Sequence, residues 1–268
     1  MTSTDRYQET LFGHTVPNEQ HRLRLVQDVF DPITIPVLKN RGLAPSWRCL
    51  ELGAGAGSIA HWMARQGAHV TATDTDTTFL DRLSGENLQV LQHNVLTDDF
   101  PPGTFDLIHA RFVLEHLPQR DALLAKLARW LAPGGWLVIE DAAAFAMEAS
   151  PYPAMLRMRT AMRRCMATTI GTDAHWSPRL PILLTAAGLV DPGMSVAVII
   201  NDHGPATAFM RTTATQLGPA MIAEGLVTEA ELAAAMRLFD DPTYVDMLAA
   251  VVSAWARRPV HSGGPPLA

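Results

Sequence analysis

The stretch LELGAGAGS at residues 50–58 decides the fold of this chain. The apolar run at residues 47–52 predicts a short buried strand, and helical spacing of apolar residues begins at Ser58. The strand therefore enters a turn of alternating glycines before a helix starts. Glycine permits a sharp turn and lets a ligand approach the backbone closely. This arrangement predicts either a ligand-binding loop or a tight turn that binds nothing.

Strands and helices alternate outward from this turn. Seven segments have the pattern of strands: residues 47–52, 69–73, 88–92, 105–110, 136–139, 194–200 and 245–256. The alanines of the last segment also permit a helix. Strands separated by helices indicate an α/β fold. We expect a Rossmann-like, doubly wound, mostly parallel seven-stranded sheet with helical lid insertions.

The chain is expected to carry a helical cap on this core. The predicted division is an N-terminal helical lid at residues 1–41 and a core at residues 42–268, with cap insertions at about 142–180 and 205–240. Within the lid, a helix at residues 18–41 is expected to break near Pro32 and Pro36. Residues 79–83 fit a short helix, and residues 133–135 fit a turn.

The glycine spacing distinguishes between ligand classes. Gly53, Gly55 and Gly57 alternate, whereas a dinucleotide fingerprint requires Gly or Ala at the position of Ser58. Residues 51–57 resemble motif I of class I S-adenosylmethionine-dependent methyltransferases. This resemblance implies that the glycine loop lies against the methionine part of S-adenosylmethionine.

Further segments resemble the same family in the same order. They are FDLI at residues 105–108, LEHL at residues 114–117 and LAPGG at residues 131–135. The match extends over residues 47–141, and the whole chain resembles a bacterial subgroup with helical lids and a similar ending near residues 253–259. The resemblance implies a methyltransferase that uses S-adenosylmethionine as its cofactor.

The resemblance also assigns residues to the cofactor. Asp74 matches the acidic residue that accepts both ribose hydroxyls, although a helix N-cap is the alternative role for this side chain. Asn94 stands where the family has an aspartate that contacts the adenine amino group. The expected cofactor-binding residues are Glu51, Gly53, Ala54, Gly55, Gly57, Asp74, Thr75, Asn94, Val95 and Arg111.

Methyl transfer is an in-line displacement that needs alignment of the acceptor and, for a hydroxyl, removal of a proton. His116 follows the fourth strand and Asp141 follows the fifth, so both side chains could face one cleft at the carboxyl ends of the strands. They are the candidate catalytic residues, with packing or capping as the alternative role. Residues 109–112 read HARF, which differs from the motif of amino-group methyltransferases that act on nucleic acid or glutamine. No metal site is predicted, because acidic ligands are missing at the end of strand four.

Composition limits the partners. The formal net charge of -6 gives no overall electrostatic footprint for nucleic acid. No signal-peptide pattern or membrane-spanning stretch is present in the sequence, which predicts a cytoplasmic protein. We expect a small-molecule substrate, with O-methylation in natural-product metabolism favoured, and no nucleic-acid or membrane partner. A homodimer is one oligomeric state compatible with the sequence.

Three other functions stay open from the sequence. The first is an NAD(P)-dependent oxidoreductase, although the short-chain type is excluded because neither Lys39 nor Lys126 has a Tyr four residues before it. The second is a non-catalytic module that binds S-adenosylmethionine. The third is other chemistry, such as a cyclisation, on a methyltransferase fold.

Overall fold

The computed structural model describes residues 10–13, 15–80 and 83–260. Its sheet has the strand order β3-β2-β1-β4-β5-β7-β6. The strands are β1 (Arg48–Leu52), β2 (His69–Asp74), β3 (Leu88–Gln92), β4 (Phe105–Arg111), β5 (Leu131–Ala143), β6 (Val190–Ile200) and β7 (Met247–Arg257). Strands β1 to β5 pair in parallel, whereas β7 is antiparallel to both β5 and β6. The expected Rossmann-like α/β fold is confirmed.

Helices lie on both faces of this sheet. They are α1 (Glu19–Asn40), α2 (Ser58–Arg65), α3 (Arg120–Trp130), α4 (Ala144–Glu148), α5 (Pro153–Ile170), α6 (Leu180–Ala186), α7 (Pro205–Ala223) and α8 (Glu229–Leu238). Two short 3₁₀ turns are Leu114–His116 and Ser177–Arg179. Thr228 caps α8 through a capping box with Glu231.

The alternation of side chains along β1 explains the two packed layers. Leu50 faces one apolar cluster, in which α3 and α6 cover the sheet. Its neighbour Cys49 faces another cluster, which α1 and α2 cover on the opposite face. Successive residues of a strand point to opposite faces, so a strand between two helical layers is apolar throughout. The central strands are therefore mostly apolar, and Glu51, His109 and Glu140 are buried exceptions to this pattern.

The remaining helices form a cap with its own apolar core. Helices α5, α7 and α8 contribute most of its buried side chains. Helix α1 packs against α7 and so joins the cap to the sheet. Among the described residues, no helix has the length and apolar character needed to cross a bilayer. The division of the chain into lid and core remains a prediction.

Two local predictions about helices were wrong. Helix α1 runs through Pro32 and Pro36 without a break, because Phe30 and Leu38 bury the helix on either side of the prolines. Residues 78–80 form a turn, since Asp76 accepts hydrogen bonds from the backbone and hydroxyl of Thr78 in place of a helical pattern. Residues 81–82 of that predicted helix lie outside the described residues.

Strand β5 is longer than the sequence predicted. It begins at Leu131, includes the glycine turn predicted at residues 133–135, and continues to Ala143. Its antiparallel partner β7 supplies hydrogen bonds along this extension, as Ala143 pairs with Ala250. The segment at residues 245–256, for which the sequence also permitted a helix, therefore forms strand β7.

Candidate active site

A cavity of about 290 Å³ opens where the loops after the parallel strands meet the cap. One end of it, here called the loop end, is lined by the glycine loop and by Asp74, Thr75, Asn94 and Val95. The other end, here called the cap end, is lined mainly by side chains of α5 and α7, and α1 lines both ends, since Leu23 lies beside Gly55. The two ends are continuous, so a group held at one end can reach a molecule held at the other.

The glycine loop depends on residues without a side chain. Gly53 has a φ of 60°, and a Cβ atom added there would overlap Cγ2 of Val113. Gly53, Ala54 and Gly55 all line the cavity. Gly57 does not line the cavity. It is the N-cap residue of α2, where its φ is 79°. The sequence had assigned Gly57 to the cofactor, and the structure gives it a role in the turn.

Asp74 stands at the end of β2 beside this loop. One of its oxygens accepts a hydrogen bond from the backbone of Gly55 at 2.9 Å, which fixes the carboxylate relative to the loop. Asn94 also lines the cavity, and its side-chain oxygen accepts a hydrogen bond from the backbone of Leu96 at 2.9 Å. A loop in which glycines let a ligand approach the backbone, together with a carboxylate at the cavity wall, fits a nucleoside that carries an amino-acid chain.

Two charged residues assigned to the cofactor are tied into the protein. Glu51 lines the cavity, and its Oε2 lies 2.7 Å from Nδ1 of the buried His109. Arg111 lines the cavity too, but its guanidinium donates to Thr34 and to Asp31 of α1, each at 2.8 Å. Arg111 therefore connects the end of β4 to α1.

His116 lies at the boundary between the two ends. Its Nδ1 is 2.8 Å from the hydroxyl of Thr172, and its Nε2 is 3.5 Å from Oε1 of Glu115. Burial, with the positive charges of Arg22 and Arg120, lowers the pKa of His116 to about 3. The imidazole is therefore neutral near pH 7.

Glu115 is the functional candidate that the sequence analysis missed. It lines the cavity beside His116, and its Oε2 accepts a hydrogen bond from the backbone of Ala142 at 3.0 Å. Burial raises the pKa of Glu115 to about 8, against the opposing effect of that hydrogen bond. A carboxyl group with a pKa near the working pH can exchange a proton in the cavity. Its position next to His116 in the sequence was the available signal.

Asp141 does not share the cavity with His116. It lies inside β5 opposite Val252, is fully buried, and is not among the residues that line the cavity. The sequence placed it after the strand, but β5 continues to Ala143 and so keeps Asp141 within the sheet. Burial and the charge of Glu115 raise its pKa well above the usual value. Asp141 therefore lies beneath the cavity wall.

The cap end is mostly apolar. Its walls include the side chains of Val26, Phe30, Met162, Met166, Phe209 and Met210. Glu19 and Arg22 of α1 add an ion pair, in which the guanidinium donates two hydrogen bonds of 2.7 and 2.8 Å to the carboxylate. Within the described part of the chain, no cluster of three or more His, Cys, Asp or Glu residues could hold a metal ion.

Comparison with known proteins identifies the family. A family profile described as "Methyltransferase domain" matches residues 19–172, which is more than half of the chain. The chain belongs to this family. Membership in the class I S-adenosylmethionine-dependent methyltransferases, which the resemblance implied, is confirmed, and the oxidoreductase alternative is set aside.

Curated relatives of the methyltransferase are similar over part of their length. Methyltransferase str2 of Strobilurus tenacellus is 36% identical over 145 residues, which are 52% of each chain. The ubiquinone biosynthesis O-methyltransferase of Xylella fastidiosa (strain M23) is 33% identical over 41% of this chain and 47% of its own. The phosphoethanolamine N-methyltransferase of Plasmodium falciparum is 31% identical over 40% and 44%. The chain spans about half the length of these relatives.

Solved structures share the fold of the methyltransferase. Phosphoethanolamine N-methyltransferase 2 of Haemonchus contortus, in complex with phosphomonomethylethanolamine and S-adenosylhomocysteine, has a TM-score of 0.59 at 15% identity. The alignment covers 96% of this chain and 59% of that one. The [4+2]-cyclase SpnF has a TM-score of 0.55 at 20% identity, over 88% and 84% of the two chains. At these identities the likeness shows the fold alone.

Proposed function

We propose that this methyltransferase methylates a hydroxyl oxygen of a small, largely apolar acceptor. One observation carries the proposal: a continuous cavity connects the glycine loop to an apolar wall, with the pair His116 and Glu115 at the boundary. A methyl donor at the loop end and an acceptor at the cap end would meet beside this pair. We further propose that the acceptor belongs to natural-product metabolism and that the protein acts in the cytoplasm.

The residues of the loop end would hold the cofactor. Asp74 has two oxygens that can accept hydrogen bonds from two ribose hydroxyls, which makes it suited to the nucleoside. Gly53 and Gly55 let the amino-acid portion approach the backbone closely. When bound, S-adenosylmethionine supplies a methyl group on a positively charged sulfur.

The cap end favours an uncharged acceptor. Methionine and phenylalanine side chains form adaptable, polarizable walls that suit an apolar scaffold. Among the described residues that line the cavity, the two arginines are Arg22 and Arg111, and each is bound to a carboxylate, of Glu19 and Asp31 respectively. A phosphorylated acceptor would have to compete with these carboxylates. The wall also orients the acceptor and excludes water from the reacting groups.

The pair at the boundary would take the proton of the hydroxyl. A histidine with a pKa of about 3 is a weak base by itself, whereas a carboxyl with a pKa of about 8 is matched to neutral pH. The acceptor hydroxyl would donate its hydrogen bond directly to the carboxylate form of Glu115, which would receive the proton, and the neutral imidazole of His116 would hold Glu115 in position. This assignment also explains why Thr172 holds the imidazole ring in a fixed orientation.

The test is acceptor screening on matched scaffolds. Purified protein is incubated with S-adenosylmethionine and pairs of aromatic or aliphatic compounds that differ only in a hydroxyl or an amino group. Product formation is followed by mass spectrometry. We expect methylation of hydroxyl compounds, abolished by Asp74→Ala and retained by Asp240→Ala at the exposed surface. Preferred methylation of amines, peptides or nucleic acids would contradict the proposal.

Binding of the cofactor is measured separately by calorimetry. S-adenosylhomocysteine should bind, NAD and NADP should not, and Asp74→Ala should lose the binding. Binding without turnover of any acceptor would instead favour a non-catalytic module.

A further inference from the structure

A buried row of charged side chains runs beneath the loop end across three neighbouring strands. His109 on β4 is fully buried, with Glu51 of β1 on one side and Glu140 of β5 on the other. Its Nδ1 is 2.7 Å from Glu51, and its Nε2 is 3.2 Å from Glu140. Buried charges persist in proteins only when they are paired. Of these three side chains, only Glu51 lines the cavity.

The geometry favours a proton on both nitrogens of His109. A neutral imidazole donates through one nitrogen only, and both carboxylates that it faces need a donor. Glu140 also accepts hydrogen bonds from the hydroxyls of Thr34 and Ser253, so the further donor that it faces is the imidazole N–H of His109. Burial opposes a charged ring, but the charge of Glu51 and the hydrogen bonds to both carboxylates raise the pKa of His109 to about 9. The same imidazolium holds the pKa of Glu140 below its usual value, although burial opposes this.

The row continues to α1 and carries an unmatched negative charge. Arg111 donates to Thr34 and Asp31, and Asp31 also accepts from Ser58. Three carboxylates, those of Glu51, Glu140 and Asp31, therefore face two cations, those of His109 and Arg111. The row therefore has one more negative charge than it has positive charges, and Glu51 is the one of its three carboxylates that lines the cavity. A ligand with a positively charged group beside Glu51 would neutralise the excess negative charge of the row.

We propose that His109 is a positioning residue, which fixes the carboxylate of Glu51 so that it receives the ammonium group of the cofactor's amino-acid portion. The inference rests on the cofactor and is independent of the acceptor. Without His109, two buried carboxylates would face each other with no cation between them. One would take up a proton, and the ammonium group would have to displace that proton on binding.

The test compares two ligands that differ only in the amino-acid portion. S-adenosylhomocysteine carries the ammonium group, whereas 5′-methylthioadenosine has the same nucleoside without it. In His109→Gln at pH 6.5, we expect roughly tenfold weaker binding of S-adenosylhomocysteine by calorimetry and unchanged binding of methylthioadenosine. The loss should shrink as the pH rises to 8.5. Glu51→Gln should give the same selective loss, and the double variant should lose no more than Glu51→Gln alone.

Other outcomes would overturn the proposal. Equal losses for both ligands would mean that His109 only supports the fold, and additive losses in the double variant would separate it from Glu51. If neither ligand binds the unmodified protein, the cofactor assignment fails and the proposal fails with it.

A measurement on the unmodified protein keeps the proposal testable if His109→Gln does not fold. Nitrogen NMR of the imidazole rings should show both nitrogens of His109 protonated from pH 6 to 8. A neutral His109 ring at pH 7 would overturn the proposal.

Discussion

The loop end and the cap end of the cavity are built in different ways. The loop end comes from the turns after three consecutive strands: Gly53 and Gly55 turn the backbone after β1, Asp74 ends β2, and Asn94 follows β3. The cap end comes from helices far apart in the chain, and its walls are apolar side chains. The difference teaches which kind of site a sequence reveals. A backbone that requires glycine leaves a mark in the sequence, whereas an apolar wall looks like ordinary core.

The largest effect is expected from closing the loop end. Gly53→Ala places a Cβ against Val113 and puts a non-glycine residue at a φ of 60°. Backbone strain and overpacking each cost about 1–3 kcal/mol, so the loop should move and binding should weaken by roughly 1,000-fold. Calorimetry with S-adenosylhomocysteine measures this loss.

A glycine away from the cavity provides the control for the effect of a Gly-to-Ala substitution itself. Gly85→Ala has open space around the added Cβ and should bind S-adenosylhomocysteine as the unmodified protein does. Unchanged binding by Gly53→Ala would show that the loop end does not depend on this close approach.

The same contrast explains what the sequence could predict. The sheet, the glycine loop and the position of Asp74 at the cavity followed from local patterns, because strand ends and glycine turns are set by short segments. Asp141 was misplaced, since the length of β5 depends on its pairing with the distant β7. Glu115 was missed because its importance comes from burial, which depends on the packing of the whole cap. The row around His109 joins four distant segments and has no local pattern.

The next effect tests the boundary between the two ends. Glu115→Gln removes the proposed proton acceptor, and general-base catalysis contributes about 100-fold or more. In the unmodified protein, kcat should rise with pH through about 8, because the carboxylate form of Glu115 is then populated. The variant should be about 100-fold slower at pH 8.5 and should lack this rise.

A control variant and a contrary outcome complete the test of Glu115→Gln. His175→Gln, at a mostly exposed histidine, should keep both the rate and the pH profile. A full rate in Glu115→Gln with the pH profile intact would assign the proton to another group, or to none.

A smaller effect is expected at the cap end. Met166→Ala shortens a partly buried side chain of the wall, and the lost apolar contact of about 1 kcal/mol should raise KM for the acceptor about fivefold. Binding of S-adenosylhomocysteine should stay within about twofold, because Met166 belongs to the cap end. Met194→Ala, at an exposed methionine on β6, should change neither quantity. Equal losses for acceptor and cofactor would show that the two ends are not separate.

The smallest effect concerns the stability of the folded protein. It depends on two buried groups, Glu115 at the boundary of the two ends and His109 in the row beneath the loop end. The folded pKa of Glu115 is about 8 against an ordinary 4.5, and that of His109 is about 9 against 6.5. The folded protein therefore keeps protons that the unfolded chain releases, so stability falls as the pH rises above about 7, where His116 is neutral in both the folded and the unfolded state. From pH 7 to 8.5, Tm should drop by at least about 3 °C. In Glu115→Gln the drop should shrink, while Glu229→Gln at an exposed site should keep it in full. A Tm that rises with pH, or an unchanged slope of Tm against pH in Glu115→Gln, would show that these groups are not buried with their protons. The contrast between a charged loop end and an apolar cap end would then need another physical basis.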